Sequence, residues 1–384
     1  MKKLMFLTTA AVIALTSCSD DEMKDASRGH AIDFRVGTAS RASEITGANI
    51  TNFFVTAYKG STPFFSDVEF SRPNTTQTFF ESLMKYYWPK EGDRLDFVAY
   101  YPSAKELPIA ADTKKVNDFK TKVNLENQYD FIYATASGTK DDNADGVQLN
   151  FKHALSQVVI QAKHESNNVV KVAGMKLVGL VNTGSFDFAG DPAWTLGSTK
   201  DTPYKVTYDD ITLTKDATSL MDGEVAMVLP QQLTAWDKSE NNDNSGAYIA
   251  VKVNIHDASG QQIYPYKSDE SWEGKYGWVA VPIDTKLEPG KKYVYTLDFQ
   301  KGTGLVAPVP TEGSTTDPII TTDPDPSDPD APSKTETDET NPGGNKTDPD
   351  TPKPGESALG DPIQFTVSVS AWEVVNNNPS TSLN

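Results

Sequence analysis

The sequence predicts an all-β protein, and three features carry this prediction. Apolar and polar residues alternate with a period of two in several short segments, among them 147–151, 249–255 and 293–299. This period places one apolar face on each strand, as in half-buried antiparallel sheets. Turn-forming pairs such as Asp145-Gly146 separate the segments. No stretch keeps a period of 3.6 residues for long, so sandwiches or barrels of short strands are favoured.

The first residues form an export signal. Lys2 and Lys3 precede an apolar run over residues 4–15. A bilayer core needs about 20 apolar residues, so this run is too short to span it. A basic start followed by a short apolar run is typical of a signal peptide, which we place at residues 1–17.

The signal ends in Leu15-Thr16-Ser17-Cys18, which resembles the bacterial lipobox. We therefore predict cleavage before Cys18 and acylation of its thiol, which anchors a protein by burying CH₂ groups at about 0.8 kcal/mol each. The alternative is an ordinary signal peptide that ends near a cysteine. Cys18 is the only cysteine among 384 residues. An exported chain of this kind forms no internal disulfide and relies on core burial for its stability.

Residues 18–29 are predicted to be a short tether between the lipid and the folded part. The acidic stretch Ser19-Asp20-Asp21-Glu22 resembles the signal that sends lipoproteins of Bacteroides-like bacteria to the cell surface. The expected location is therefore the cell surface, as an outer-membrane lipoprotein.

The charge of the chain excludes some classes of partner. It carries 53 acidic and 35 basic residues, for a net charge of −18. Nucleic-acid binding requires a basic surface, so it is not expected. Electrostatic binding to anionic membranes is not expected either. The acidity is more typical of a surface that keeps a secreted protein soluble.

The globular composition extends over about 270 residues, which is long for one sandwich, so two domains are predicted. The boundary is expected near residue 165, after an apolar strand at 158–163 and before a polar run. The two domains would then be residues 30–165 and residues 166–305 plus 361–384.

Residues 306–360 differ sharply in composition from the rest. They contain almost no aromatic residues, and Asp-Pro pairs recur among Thr, Ser and Gly, beginning at positions 317, 323, 325, 328 and 348. Such a segment has too little apolar surface to order itself, so we predict a disordered linker with polyproline character.

A final strand follows the linker, with Ile363, Phe365, Val367 and Val369 on its apolar face. Lengthening a loop from about 5 to about 55 residues costs only about 2 kcal/mol in closure entropy. Burying four apolar side chains is worth roughly 6–12 kcal/mol, so the strand is expected to dock. The sequence leaves open whether it docks on its own second domain or is donated to a neighbouring subunit.

Several strand segments in order resemble the fimbrillin family of Bacteroides-type bacteria. The segments are Ala31-Ile32-Asp33-Phe34 with Ser40-Arg41-Ala42, then 52–58, Tyr86-Tyr87-Trp88-Pro89, 95–102 and 151–158. The resemblance implies two transthyretin-like β-sandwiches and a role as a subunit of surface fimbriae. It also implies that a trypsin-like protease removes the first strand from a lipidated precursor and that a neighbour's strand fills the groove, a form of strand addition.

By this resemblance the processing site would be Arg41, which lies among small residues that are open to a protease. Arg35 is the rival, although it lies inside the apolar strand at 32–36. In the alternative, Arg41 is a loop residue of an anchor subunit that stays lipidated. The sequence leaves open a shaft, tip or anchor role.

No catalytic, cofactor or metal site is predicted. The four histidines show no metal-ligand spacing, and no nucleophile elbow, Walker loop or zinc-protease motif is present. Asp141, Asn143 and Asp145 match the start of a calcium loop, but Lys152 stands where a bidentate Glu is required. A plain hairpin loop is therefore expected there.

Trp236 and Trp272 lie in polar contexts and are the candidates for exposed ligand contacts. They support an alternative function, a surface glycan-binding lipoprotein of a polysaccharide uptake system. The expected partners are other fimbrial subunits, the outer-membrane lipid through Cys18, and a host or bacterial surface ligand.

Overall fold

The computed structural model describes residues 31–36, 50–74, 76–90, 92–198, 200, 203–239, 245–265, 274–300, 302–308 and 355–372. Cys18, Arg41 and Trp272 lie outside these residues, as does most of the linker predicted at 306–360. The predictions made for them stay predictions.

The described residues form an all-β structure, which confirms the predicted fold class. Two short 3-10 helices interrupt the strands, at Leu125–Asn127 and Asp141–Asn143. The alternating segments at 147–151, 249–255 and 293–299 all fall on strands or directly beside them. In chain order the described strands are β1 (Phe34–Val36), β2 (Asn52–Lys59), β3 (Thr62–Ser71), β4 (Phe79–Phe80), β5 (Leu95–Tyr101), β6 (Ile109–Ala110), β7 (Lys115–Lys120), β8 (Ile132–Gly138), β9 (Val147–Leu149), β10 (Lys152–His153), β11 (Ser156–Lys163), β12 (Val169–Val178), β13 (Thr183–Asp187), β14 (Ala193–Leu196), β15 (Tyr204–Thr212), β16 (Thr218–Ser219), β17 (Ala226–Val228), β18 (Tyr248–His256), β19 (Gln262–Tyr264), β20 (Gly277–Pro282), β21 (Lys291–Asp298), β22 (Leu305–Val306) and β23 (Gln364–Ala371).

The first sandwich packs a three-stranded sheet, β4-β1-β9, against a five-stranded sheet, β10-β8-β5-β2-β3. Its core is rich in phenylalanine, with Phe34 from the small sheet facing Phe53 and Phe97 from the large one. β1 pairs with β9 in parallel, whereas β1 and β4 are antiparallel. The sheet that holds the first strand is therefore mixed rather than purely antiparallel.

The second sandwich packs the sheet β16-β11-β21-β23 against the sheet β15-β12-β18-β20-β22. Strands β17 and β19 extend these sheets beside β11 and β18. Aliphatic residues such as Ile160, Val172 and Val251 fill the core between them. β11 and β21 run parallel over seven paired residues, the other departure from an antiparallel pattern among the described strands.

A fifth sheet, β14-β13-β7-β6, covers the outer face of the five-stranded sheet β10-β8-β5-β2-β3 of the first sandwich. Tyr100 and Tyr133 of that face meet Phe119 of β7 and Phe186 of β13 in one buried cluster. This sheet joins β7, which precedes residue 165, to β13 and β14, which follow it.

The boundary expected near residue 165 therefore does not separate the two cores. β11 lies before that residue, yet Val158, Ile160 and Ala162 belong to the second core. β11 is paired with β21, more than a hundred residues later in the chain, and no local pattern reveals that pairing. The number of domains stays a prediction.

The two ends of the predicted linker are ordered, which corrects its limits of 306 and 360. The backbone N–H of Val306 donates to the carbonyl of Glu356 at 2.8 Å, and the N–H of Gly355 donates to the carbonyl of Val306 at 2.9 Å. Further bridges join Leu305 to Ser357 and Gly302 to Gly360. Chain segments on the two sides of residues 309–354 therefore lie against each other, and we call this ladder the clamp.

Candidate functional site, the first and last strands

β1 is a central strand whose one large side chain is fully buried. Phe34 is 0% exposed, and its ring centroid lies 4.6 Å from that of Phe70 and 5.3 Å from that of Phe97. Edge-on packing of this kind adds to the stabilisation that comes from burial alone. Phe34 pairs with Phe80 of β4 on one side and with Val147 of β9 on the other. Removal of β1 would therefore open a groove in the middle of the small sheet.

The neighbouring segments hold the backbone just before β1 on both of its sides. The N–H of Ile32 donates to the carbonyl of Tyr86, and the N–H of Val147 donates to the carbonyl of Asp33, both at 2.8 Å. Arg35, the rival processing site, is half-buried, and its guanidinium carbon lies 4.5 Å from the ring centroid of Phe79. A protease must bind an extended, accessible segment, so the pairing of β1 on both sides disfavours cleavage at Arg35.

A cavity of about 410 Å³ lies beside β1, between Arg35 and the loop that contains Asn143 and Asp145. This loop carries the partial calcium motif. The carboxylate of Asp142 accepts hydrogen bonds from the backbone N–H and the hydroxyl of Thr139, both at 2.9 Å, and they hold the pKa of Asp142 below its usual value. The loop is thus closed by its own hydrogen bonds, and among the described residues no group of three or more potential ligands could hold a metal ion.

The last strand, β23, lies at the edge of the second sandwich. It pairs with β21 along its whole length, from Gln364 opposite Asp298 to Ala371 opposite Lys291. Ile363 is buried, and Phe365 and Val367 are partly buried against the second core.

Val369 is 55% exposed, so the expectation that all four apolar residues of this strand are buried was wrong for one of them. Ile363, Phe365 and Val367 pack in or against the second core, whereas Val369 does not. The edge strand is therefore held by its first half and by the residue that follows it.

Trp372, directly after β23, ties this strand to the first half of the chain. Its ring is 3% exposed and stacks on the ring of His153, in the cluster between the five-stranded sheet of the first sandwich and the sheet β14-β13-β7-β6. Its backbone N–H donates to the carbonyl of Gly290 at 2.8 Å. Nothing local in the sequence connects position 372 with position 153.

The first and last strands carry the same apolar pattern. Residues 32–36 read Ile-Asp-Phe-Arg-Val, and residues 363–367 read Ile-Gln-Phe-Thr-Val. Alternate residues of a strand share one face, so both strands present Ile, Phe and Val at the same spacing. A direct comparison of the two segments would have revealed this signal in the sequence.

Trp236 is not an exposed ligand contact, which corrects the expectation from its polar neighbours. It is 3% exposed, its ring lies 5.4 Å from that of Tyr248, and it belongs to a cluster with Trp278 on the outer face of the second sandwich. The neighbouring polar residues form a turn in which Asp237 accepts from the N–H of Ser239 at 2.9 Å. The indole points inward from this turn, so it gives no support to a glycan platform.

Among the described residues, no helix is both long enough and apolar enough to cross a bilayer.

The comparison with family models identifies one family. The sequence model of a family described as fimbrillin-like matches residues 39–317, more than half of the chain. The comparison with curated proteins gives no match.

Similar solved structures come from Bacteroides and Parabacteroides species. They include a fimbrial protein from Bacteroides vulgatus with 16% identity and a TM-score of 0.46, covering 71% of this chain and 95% of that one. A candidate cell adhesion protein from Bacteroides uniformis has 17% identity and a TM-score of 0.40, covering 71% and 93%. Another, from Parabacteroides distasonis, has 10% identity and a TM-score of 0.42, covering 89% and 96%.

Proposed function

The chain belongs to the fimbrillin-like family, and from this premise we propose that it is a fimbrial subunit exported as a lipoprotein and assembled by strand exchange. Members of this family are structural proteins of the cell surface rather than enzymes. The observation that carries the proposal is the Ile-x-Phe-x-Val pattern shared by the first and last strands. In the proposed assembly, the last strand of one subunit takes the place of the first strand of the next.

The first strand is suited to removal because it is short, yet it joins β4 to β9 in the three-stranded sheet. Burying Ile32, Phe34 and Val36 is worth roughly 5–9 kcal/mol in total, at about 1.5–3 kcal/mol each. Without β1, the rings around Phe34 would face solvent, and the edges of β4 and β9 would lack partners. Such an edge favours pairing with another chain. A donated strand with the same three side chains restores both the packing and the hydrogen bonds.

The last strand is suited to donation because it lies at a sheet edge and places much of its surface in solvent. In the monomer, this strand pairs with β21 of its own chain, and Phe365 lies on the second core. In the assembled fimbria, Phe365 would take the position of Phe34 in the neighbouring copy, with Ile363 at the position of Ile32. Exchange then replaces one set of contacts with another of similar size.

Processing at Arg41 would start this exchange. Cleavage there detaches β1 together with the tether and the lipid on Cys18, so one cut both frees the subunit and opens its groove. A subunit that is not cut keeps its lipid and its closed groove, and it would serve as an anchor.

The test uses cells that produce the full chain and compares Arg41→Ala with Arg28→Ala, a matched change at an arginine in the tether. Wild type and Arg28→Ala should give heat-labile, high-mass ladders and a mature amino terminus at Ala42. Arg41→Ala should remain a monomer with an acylated Cys18. Ladders of normal length from uncut Arg41→Ala would overturn the processing step.

A second variant tests the donor role separately. Phe365→Asp should still accept a strand, because its groove is unchanged, but it should not donate one. Added to processed wild-type subunits, it should shorten the ladders in proportion to its share of the mixture. Val369→Asp, a change at the exposed position of the same strand, is the control. Equal effects of the two variants would argue against Phe365 as the residue that fills the groove.

A further inference from the structure

The loop between β4 and β5 presents apolar side chains to solvent. Among the described residues seven large apolar side chains are exposed, and three of them lie within five residues: Leu83 at 105%, Met84 at 70% and Tyr87 at 56%. Large exposed apolar side chains that cluster usually mark a contact surface. We call residues 82–87 the apolar loop.

The apolar loop is held in place rather than loosely attached. The hydroxyl of Ser82 donates to the carbonyl of Met84 at 2.7 Å, and Lys85 forms an ion pair with Glu81 at 2.6 Å. The ring of Tyr86 lies 4.6 Å from that of Phe65 in the first core. The exposed side chains of Leu83 and Met84 therefore project from an anchored turn.

The position of the apolar loop links it to the amino-terminal segment. Tyr87 forms an antiparallel bridge with Ala31, the first described residue, and the N–H of Ile32 donates to the carbonyl of Tyr86. Twelve residues lie between Cys18 and Ala31, and an extended chain spans at most about 3.6 Å per residue, so the two residues are at most about 45 Å apart. A lipid on Cys18 would thus keep the apolar loop near the membrane.

The composition of the apolar loop suits a lipid surface. Leu83 and Met84 are its most exposed apolar side chains, and the exposed residues Lys85, Tyr87 and Lys90 follow them in the chain. Apolar tips flanked by tyrosine and lysine are typical of segments that lie at the boundary of headgroups and acyl chains. A net charge of −18 disfavours electrostatic attraction to anionic lipid, so insertion must come from the apolar side chains.

We propose that the apolar loop is a membrane-contact surface that inserts Leu83 and Met84 into the lipid layer holding the acylated precursor. The inference rests on the lipidation of Cys18 in the proposed function. The acyl chains anchor the precursor, and the apolar loop adds a further contact with the same lipid layer by burying apolar side chains. Cleavage at Arg41 removes the acyl chains, and the loop alone is too weak to retain the subunit, so processing releases it.

The test uses the acylated full chain isolated from cells, with Met84→Cys labelled by an environment-sensitive fluorophore. Acylation blocks Cys18, so the new thiol is the only one that reacts, and mass spectrometry first verifies the acylation. The protein is reconstituted into vesicles of phosphatidylcholine and phosphatidylethanolamine. Val169→Cys, at an exposed apolar position on β12 of the second sandwich, is the matched control.

In vesicles, the label at position 84 should brighten at least twofold and should be quenched by nitroxide groups on the acyl chains, whereas the label at position 169 should not change. Absence of quenching at position 84 with an acylated Cys18 overturns the membrane contact and leaves the lipoprotein assignment intact. An unmodified Cys18 overturns the lipoprotein assignment, and the membrane contact with it. Brightening that depends on protein concentration without vesicles would assign the apolar loop to contacts between copies and overturn the lipid proposal.

Discussion

The indole ring of Trp372 lies almost parallel to the imidazole ring of His153, with the ring centroids 3.9 Å apart and the planes at 11°. Nδ1 of His153 is 2.8 Å from a carboxylate oxygen of Asp130, and all three side chains are buried. His153 lies on β10 of the first sandwich, whereas Trp372 directly follows β23, the last strand of the second. The end of the last strand is thus fixed by residues of the other half of the chain, and any exchange of that strand must break this stack.

Replacing Trp372 with Ala should lower the free energy of unfolding by about 3–5 kcal/mol, the usual range for truncating a large buried aromatic residue. The loss arises because the indole fills space beside His153 that the surrounding structure cannot close. Urea unfolding followed by fluorescence and circular dichroism would measure it. Val369→Ala, at the exposed position of the same strand, should change the free energy by less than about 0.5 kcal/mol. Equal values for the two variants would show that β23 is not docked on its own chain in the monomer.

Phe34→Ala should destabilise the uncut protein by about 3–5 kcal/mol, because it empties the centre of the phenylalanine cluster. Phe64→Ala is the matched control, since Phe64 is exposed and its loss should cost much less. After cleavage at Arg41 the effect of Phe34→Ala should vanish, because the residue leaves with the first strand. A persistent difference after cleavage would mean that the first strand remains bound.

The local patterns in the sequence revealed the strands but not their partners. The alternation at 249–255 and 363–369 predicted β18 and β23, since the period of two is a property of a few consecutive residues. The parallel pairing of β11 with β21 is different, because it depends on contacts between segments that are far apart in the chain. The same limit explains Trp236, whose neighbours are polar while its ring is covered by Tyr248 from another strand.

Stability should fall at alkaline pH, and Tyr295 should account for part of the decline. Burial raises the pKa of Tyr295 from 10.0 to about 12. The folded state therefore favours the neutral phenol, so this stabilisation is complete below pH 10 and is lost as the pH rises through 12. In that window the free energy of unfolding should fall by about 1.4 kcal/mol per pH unit for this group.

Tyr295→Phe should reduce that slope, as measured by urea unfolding at a series of pH values. Tyr87→Phe is the control, because Tyr87 is exposed and its replacement should leave the slope unchanged. An identical pH dependence in wild type and Tyr295→Phe would show that other groups control the alkaline transition.

The clamp at the base of the linker should control how readily the last strand leaves its own chain. A Cβ atom at Gly302 would overlap the carbonyl of Asp361, so Gly302→Ala must displace the segment that leads into β23. Hydrogen exchange at the backbone amides of β23 should then become at least tenfold faster, and processed subunits should polymerise sooner. Gly260→Ala is the control, because open space surrounds that position and only the backbone, at a φ of 84°, is strained. If Gly302→Ala accelerates exchange without changing the rate of polymerisation, release of the last strand is not the step that limits assembly.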